Sequence, residues 1–174
     1  LFDGQGDYLA SDGEAYAGMW RSGKRHGRGT QTDPSGAVYT GDFEADLRQG
    51  QGVSTYPDGS TYTGARQADQ YKGQGSFVTA KGDKYVGHFT DSLFDGHGTY
   101  TAVDGAKYTG AWLAGKRQGR GMQVYADQGV YTGAFNDDMP EGLGQYRGVD
   151  GSAYAGEWVS GMRRGQGLYD SAGG

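Results

Sequence analysis

The sequence contains no cysteine, only 3 prolines and no long run of apolar residues. The lack of cysteine excludes disulfides, a thiol nucleophile and zinc sites made of thiolates. No stretch reaches the roughly 20 apolar residues that a membrane-spanning helix needs, and no secretory signal peptide is visible. These absences are consistent with an intracellular protein.

Motifs of catalysis are also lacking. Pairs of the form G-x-G are frequent, but neither the dinucleotide pattern G-x-G-x-x-G nor the P-loop pattern occurs. The acidic residues are scattered over expected turns, and 3 histidines without cysteine do not predict a metal site. The net charge of -5 also disfavours nucleic acid as a partner. We therefore predict no catalytic activity, catalytic residues, bound metal, cofactor or nucleic-acid partner.

Glycine and tyrosine are abundant instead, with 36 glycines and 14 tyrosines among the 174 residues. They follow a strict period of 23 residues, in which each unit begins with a tyrosine. With positions counted from that tyrosine, a glycine stands at +2 and a G-x-G pair at +11 and +13. Such a period predicts a repeat array. The tyrosines that begin the units are Tyr16, Tyr39, Tyr62, Tyr85, Tyr108, Tyr131 and Tyr154.

Each unit is predicted to be a β-hairpin. Tyr16, Gly18 and Trp20 alternate with their neighbours, so their side chains share one face of a strand. We predict a turn over residues 22–26 and a return strand over residues 27–32. The glycines within the strands predict that aromatic rings lie against bare backbone.

Successive hairpins are predicted to pair edge to edge. The predicted fold is all-β, an elongated single-layer antiparallel twisted ribbon of tandem 23-residue β-hairpins. At a strand spacing of about 4.8 Å, seven units give a rod about 65 Å long. We predict one array over residues 1–174, with a half repeat over 1–15 and full repeats starting at 16, 39, 62, 85, 108, 131 and 154. Since the first residues match the second half of a unit, we expect the C-terminal fragment of a longer array.

The unit closely resembles the MORN (membrane occupation and recognition nexus) repeat. The match is nearly complete in YAGMWRSGKRHGRG (16–29) and in YTGAWLAGKRQGRG (108–121). It is weaker in the second, fourth and sixth units, where Asp46, Ser92 and Asp138 replace a glycine at +7, and weakest in the third. The resemblance covers essentially the whole chain and is specific for the fold.

The resemblance implies a scaffold. MORN arrays occur in scaffolds of cytoskeletal and ciliary structures, in junctional membrane proteins, and beside lipid kinase or lysine methyltransferase domains. This chain is most similar to free-standing MORN arrays of protozoan parasites, which are associated with cytoskeletal rings and collars and self-associate through C-terminal repeats. Phosphoinositide binding has been proposed for the family.

We therefore expect a non-enzymatic structural scaffold that is cytoplasmic and cytoskeleton-associated, or that lies at the inner face of a membrane. Its expected partners are a second copy of itself and cytoskeletal or coiled-coil proteins. The alternative is a peripheral membrane module that binds phosphoinositides. A third interpretation is a targeting module of a larger enzyme, if a catalytic domain precedes residue 1.

Self-association is predicted at the last unit. A one-layer sheet ends in strands with unpaired backbone groups, which can pair with another chain. No capping helix follows the last unit in the sequence, so we expect a two-fold homodimer. The expected interface residues are Trp158, Met162, Leu168 and Tyr169.

The repeated aromatic residues are predicted to be mostly core, because a single layer has no second sheet to pack against. Their exposed edges are predicted to line a groove for a peptide or helix of a partner. The residues assigned to this partner groove are Tyr62, Arg66, Tyr85, Phe89, Tyr108 and Trp112.

Basic residues recur near the predicted turns and define the alternative lipid site. Arginine binds phosphate with a two-pronged fork, and lysine binds it as a point charge. The opposing interpretation is that these side chains are solvated, since other turns are acidic and no uniform basic stripe exists. The headgroup-binding candidates are Lys24, Arg25, Arg28, Lys116, Arg117, Arg120, Arg163 and Arg164.

Overall fold

The computed structural model describes residues 2–171, so Leu1 and residues 172–174, at the two ends of the predicted array, lie outside the described part. Residues 2–171 form β-strands and contain no helix, and hence none that is long and apolar enough to cross a bilayer. The strands are β1 (Gly4–Leu9), β2 (Ala15–Arg21), β3 (Lys24–Thr32), β4 (Val38–Glu44), β5 (Leu47–Thr55), β6 (Thr61–Gln67), β7 (Gln70–Val78), β8 (Lys84–Thr90), β9 (Leu93–Thr101), β10 (Lys107–Leu113), β11 (Lys116–Val124), β12 (Val130–Asn136), β13 (Met139–Arg147), β14 (Ala153–Val159) and β15 (Met162–Asp170).

The chain divides into two compact units. Unit 1 comprises the residues up to Gly82 together with Phe89–Ser92, and unit 2 comprises Asp83–His88 and the residues from Leu93 onward. Within each unit, a strand pairs antiparallel with the strands that precede and follow it in the chain. The prediction of an all-β fold made of tandem antiparallel hairpins is confirmed.

Each hairpin turns in two residues. In the first repeat these are Ser22 and Gly23, with φ of 50° and 78°, and the corresponding pairs of the other repeats also have positive φ. Positive φ at both positions defines the type I′ turn, whose twist matches that of the flanking strands. The predicted turn over 22–26 is therefore wrong, because β3 already begins at Lys24.

Two glycines of each repeat have different physical roles. Gly119, at +11, has a φ of 70° and lies in a bulge, where the register of β10 and β11 shifts between Gly110 and Trp112. Gly121, at +13, lies under the ring of Tyr108, which a Cβ atom on Gly121 would overlap. The first glycine supplies a backbone conformation, and the second supplies space.

The seven repeat tyrosines form the core of the two units. They are at most 2% exposed, and each ring covers a cross-strand glycine pair such as Gly110 and Gly121. The Tyr108 hydroxyl donates a hydrogen bond to the Ala111 carbonyl at 2.9 Å, and the other six tyrosines make the same bond three residues on. A single layer can thus bury its largest side chains, as the glycine spacing predicts.

Aromatic residues at +4 complete this core. The ring of Tyr108 lies edge-on to Trp112 of its own repeat at 5.1 Å and to Phe135 of the next repeat at 4.9 Å. Edge-to-face contacts at these distances add stabilisation beyond that of the buried area. Where +4 is aromatic, the rings therefore link a repeat to its neighbour as well as closing its own hairpin.

An arginine–aspartate pair forms a second link between neighbouring repeats. The backbone N–H of Arg117, at +9, and its Nε both donate to Oδ1 of Asp138, at 2.9 and 3.2 Å. The N–H of Asp138, at +7 of the next repeat, donates back to the Arg117 carbonyl at 3.1 Å. The pairs Arg25 with Asp46 and Arg48 with Asp69 have the same arrangement. Gly115 at +7 makes the same backbone bond, to the Phe94 carbonyl at 2.8 Å, so aspartate at this position adds a side-chain contact between repeats.

We predict that Gly121→Ala destabilises the protein more than Gly119→Ala. Alanine at 119 has only the strain of positive φ, roughly 1–2 kcal/mol, because the nearest atom to its Cβ is 3.6 Å away. Alanine at 121 must displace the Tyr108 ring, which costs about 3 kcal/mol or more in a packed core. Urea unfolding of both variants measures the difference, and Gly119→Asn serves as the control because asparagine tolerates positive φ. Equal losses for the two alanine variants would contradict the steric role of Gly121.

We predict that Asp69→Asn lowers stability at neutral pH but not in acid. Burial acts to raise the pKa of Asp69, but hydrogen bonds from the side chain and backbone of Arg48 outweigh it and hold that pKa below its usual value. A carboxyl whose pKa is lowered by folding stabilises the protein fully at a pH above its unfolded-state pKa, which is near 3.9. That stabilisation is lost as the pH falls through the folded-state pKa. The partly exposed pair is expected to contribute about 1 kcal/mol at pH 7.

The test is urea unfolding of wild type and Asp69→Asn between pH 7 and pH 2. The two curves should converge below about pH 4. The matched control is Arg48→Met, in which Asp69→Asn should have little further effect at pH 7. A difference that persists unchanged at pH 2 would show that Asp69 acts through its shape and not through its charge.

Candidate functional site

We first consider clusters of metal-ligating side chains and the concavities of the surface. No group of three or more His, Cys, Asp or Glu side chains in residues 2–171 is placed to hold a metal ion. The concavities of the described surface are shallow and lie on the faces of the sheet within a unit.

The aromatic residues assigned to the partner groove are buried. Tyr62, Phe89 and Arg66 of unit 1 are 5% exposed or less, and Tyr85, Tyr108 and Trp112 of unit 2 are 8% exposed or less. Burial raises the pKa of Tyr62, Tyr85 and Tyr108 to about 12. These six side chains form the core, and the area that they present to a partner is small.

Arg66 replaces the aromatic residue at +4 in the third repeat. Its cross-strand partner is Tyr71. In the first repeat the corresponding pair is Trp20 with Arg25. The aromatic residue and the arginine have therefore exchanged strands in the third repeat. The guanidinium lies 4.6 Å from the Tyr71 ring centre and donates to the Asp69 carbonyl and to Ser54 Oγ, each at 2.6 Å. Its Nε has no hydrogen-bond partner among the described residues. The exchange preserves contact between an arginine and an aromatic ring.

The lipid-headgroup candidates fall into two groups. Lys24, Arg28, Lys116 and Arg120 are exposed, although Lys116 pairs with Asp137 at 3.0 Å. Arg25 and Arg117 instead lie over the aromatic core and pair with Asp46 and Asp138. Arg163 lies 4.7 Å from the ring of Tyr146, and Arg164 is exposed on the same strand. Since Arg25 and Arg117 have structural partners, only part of the basic set is available to an anionic ligand.

The residues assigned to the dimer interface also differ in exposure. Trp158 is 5% exposed, and its ring nitrogen donates to the Gly144 carbonyl at 3.3 Å. Met162, Leu168 and Tyr169 are exposed on β15, and Tyr169 packs beside Tyr154 at 4.7 Å. Trp158 therefore belongs to the core of unit 2, whereas the other three can contact another molecule.

The face opposite the tyrosines carries every methionine of the chain, and we call it the methionine face. Met19 of unit 1 is 42% exposed, and Met122, Met139 and Met162 of unit 2 are 41%, 51% and 68% exposed. Side chains alternate between the two faces of a strand, and this alternation places each methionine on this side. Met122, for example, pairs with Thr109 and Thr132, which lie one residue after Tyr108 and Tyr131 and so face away from the tyrosines. In unit 2 the face also carries the exposed side chains of Leu113, Leu143 and Leu168.

A shallow groove of about 1040 Å³ lies on the methionine face of unit 2, and we call it the methionine groove. Its floor is bare backbone at five glycines, and its walls carry small, apolar and amide side chains together with Arg120 and His97. No acidic residue lines it. The wall residues are His97, Thr109, Arg120, Met122, Thr132, Ala134, Leu143, Gln145 and Ala155.

A second concavity of about 360 Å³ lies on the tyrosine face of unit 2. Phe94, Tyr100 and Trp112 are among the residues that line it. The charged groups at its edge, Arg117 and Asp138, are paired with each other at 3.2 Å. With its charges satisfied internally, this pocket offers less to a ligand than the methionine groove.

The methionine groove does not follow from the repeated residues, because variable residues line its walls. The signal was nevertheless present in the strand alternation. Met122 at +14 and Leu143 at +12 are apolar residues at positions where most repeats have polar or small ones, such as Ser76 and Gln74. Several apolar residues at solvent-facing positions of one sheet face indicate a contact surface, whereas a single one does not.

A search of curated proteins found no match to this chain. Among solved structures, the chain is similar to the SAS-4 (dCPAP) TCP domain of Drosophila melanogaster in complex with a proline-rich motif of Ana2 (dSTIL). The TM-score is 0.48 and the sequence identity is 12%, and the alignment covers 96% of this chain and 89% of that one. It is also similar to the TCP10 domain of Danio rerio CPAP in complex with a STIL peptide, with a TM-score of 0.41, 11% identity, and coverage of 92% and 81%. At these scores the likeness supports no inference about function.

The MORN repeat family model matches six segments, with the boundaries given by the tyrosine period. The matched segments are residues 16–38, 39–61, 85–107, 108–130, 131–153 and 154–174. The segment between 61 and 85, which is not matched, contains Arg66 in place of the aromatic residue at +4. With most of its length matched and its hairpins repeating on the same period, the chain belongs to the MORN repeat family.

Proposed function

We propose that this protein is a non-enzymatic, cytoplasmic and cytoskeleton-associated scaffold that binds cytoskeletal or coiled-coil proteins through the methionine face of unit 2. The observation that carries the proposal is the exposure of Met122, Met139 and Leu143 on that face. Contiguous exposed apolar area on a folded protein marks contact sites, and methionine adapts its shape to a partner.

The division between the two faces supports this assignment. The tyrosine face uses its large side chains to build the core, so little apolar area remains there for a partner. Arg120 and Leu143 both occupy position +12, where the full repeats of unit 1 carry Arg28, Gln51 and Gln74, so unit 1 has no apolar counterpart of Leu143. Partner binding is therefore assigned to unit 2.

We predict that Met122→Glu with Leu143→Glu releases the protein from the cytoskeleton. Two carboxylates in the groove would have to be desolvated against an apolar partner surface, which strongly disfavours binding. The measurement is the fraction retained with the detergent-resistant cytoskeleton of cells that express each variant. The matched control is Val53→Glu with Gln74→Glu, at the same repeat positions in unit 1, which should be retained like wild type. Equal retention of both double variants would contradict the proposed surface.

Homodimerisation is a separate proposal about the last strand. Met162, Leu168 and Tyr169 are 66–81% exposed on β15, which supports an apolar contact with a second copy. A two-fold contact would bring the same residues of both copies together. Because Trp158 is buried, its mutation would test folding and not the interface.

We predict that Leu168→Asp with Tyr169→Asp converts a dimer to a monomer of 18.5 kDa. Opposed carboxylates would repel at a two-fold contact, since each appears in both copies. Light scattering on a sizing column over a dilution series gives the mass, and Leu113→Asp is the exposed control in the same unit. If the double variant is as dimeric as the parent, or the parent is monomeric throughout, the proposal fails.

Phosphoinositide binding is the alternative function, favoured by the exposure of Lys24, Arg28, Lys116 and Arg120. The discriminating variant reverses Lys116 and Arg120, because reversal of Arg117 would also break its contact with Asp138. Each basic residue near an anionic surface contributes about 1 kcal/mol. The alternative would be supported if the wild type binds phosphoinositide vesicles but not phosphatidylcholine vesicles, and if the variant no longer binds phosphoinositide vesicles. Unchanged vesicle binding would exclude these residues.

A further inference from the structure

We propose that the methionine groove binds an acidic, amphipathic α-helix of a partner protein. This inference rests on the proposed scaffold function and adds the chemistry and secondary structure of the partner. Four properties of the groove carry it, namely the hydrogen bonding of its floor, its length across the strands, its shape and the charge of its walls.

The floor of the groove excludes partners that bind by adding a strand. Strands β10, β11, β12 and β13 are each hydrogen-bonded to a neighbour on both sides. Their N–H and C=O groups are therefore occupied, and the groove offers no backbone ladder to an extended peptide. A partner segment buried against this floor must satisfy its own backbone groups, which a helix does.

The length of the groove fits a helix of ordinary size. Its walls run from His97 on β9 to Ala155 on β14, which is a distance of five strand spacings. At about 4.8 Å per strand this is about 24 Å. A helix rises about 1.5 Å per residue, so about 16 residues, or between four and five turns, span the groove.

The shape of the surface suits one apolar stripe of a helix. Gly121, Gly133 and Gly144 lie between the two walls, and a Cβ atom on any of them would point to the tyrosine face. The floor on the methionine face is therefore backbone, which a helix can approach closely. Met122 and Leu143 rise from the walls on either side, and Leu143 is 79% exposed. Large apolar residues of the partner at spacings of three and four would fill the floor between them.

The charge of the walls selects an acidic partner. Arg120 and His97 line the groove without an acidic residue, although the chain as a whole has a net charge of -5. The cross-strand neighbour of Arg120 is Ala134, whereas the equivalent Arg28 in unit 1 faces Asp42 and lies 3.7 Å from it. No salt bridge to Arg120 forms among the described residues. Its charge is available to carboxylates that flank the apolar stripe of the helix.

The test is a selection from a display library of random 18-residue peptides on the full chain. Recovered peptides are synthesised with a fluorescent label, and their affinities are measured by anisotropy against wild type and three single variants. Met122→Glu and Arg120→Glu change the groove, and Val53→Glu is the matched control at position +14 in unit 1. Thermal unfolding followed by circular dichroism establishes that each variant is folded.

We expect the recovered peptides to be net negative, with apolar residues spaced by three and four. Their affinity should fall about tenfold or more in each groove variant, remain unchanged in Val53→Glu and weaken with added salt. A proline placed at the centre of a peptide should abolish binding by breaking the helix.

Other results separate the failure of this inference from that of the proposed function. Peptides that are basic, or that tolerate the central proline, but still require Met122 would overturn the acidic helix and leave the scaffold function standing. Peptides that bind equally to all variants would remove the groove from both proposals. Recovery of no binding peptide would count against both as well.

Discussion

The fold depends on one contact, in which a tyrosine ring covers two glycines on paired strands. The Tyr108 ring excludes any Cβ atom on Gly121, and its hydroxyl donates to a carbonyl three residues later. A sheet without a second layer buries large side chains only if they lie along its own surface, and bare backbone provides the space. The contact recurs in every repeat, so the period of the sequence and the period of the packing are the same. It also commits one face of each unit to the core.

Contacts between repeats explain the departures from the repeated pattern. The aspartates at +7 that weaken the sequence match are the partners of arginines at +9 in the preceding repeat. In the fourth repeat, position +9 is Phe94, whose ring stacks on that of Tyr85 with 3.7 Å between the ring centres. The following repeat retains a glycine, Gly115, at +7. The two positions belong to different repeats but form one contact. A residue that looks like a defect within its own repeat can therefore be required by the neighbouring one.

The commitment of the tyrosine face to the core leaves the opposite face for the proposed partner binding. On that face the side chains are free to vary, because strand alternation keeps them out of the core. Unit 2 uses this freedom to expose Leu143 at +12, whereas the full repeats of unit 1 have Arg28, Gln51 and Gln74 at that position. The repeated residues thus account for the architecture, and the variable residues account for the proposed binding. Family membership predicts the first and does not specify the second.

The sequence by itself determined the hairpin period, the all-β class, the family and the burial of the tyrosines, because each depends on spacing within one short unit. It did not reveal that Lys24 lies in a strand, since a type I′ turn and a following bulge together look like one long loop. It also did not reveal the pairing of Arg117 with Asp138, which are 21 residues apart, or the exchange of Arg66 and Tyr71 between strands. Only the tertiary structure decided which exposed residues share a groove, because that depends on registers between strands that no local spacing specifies.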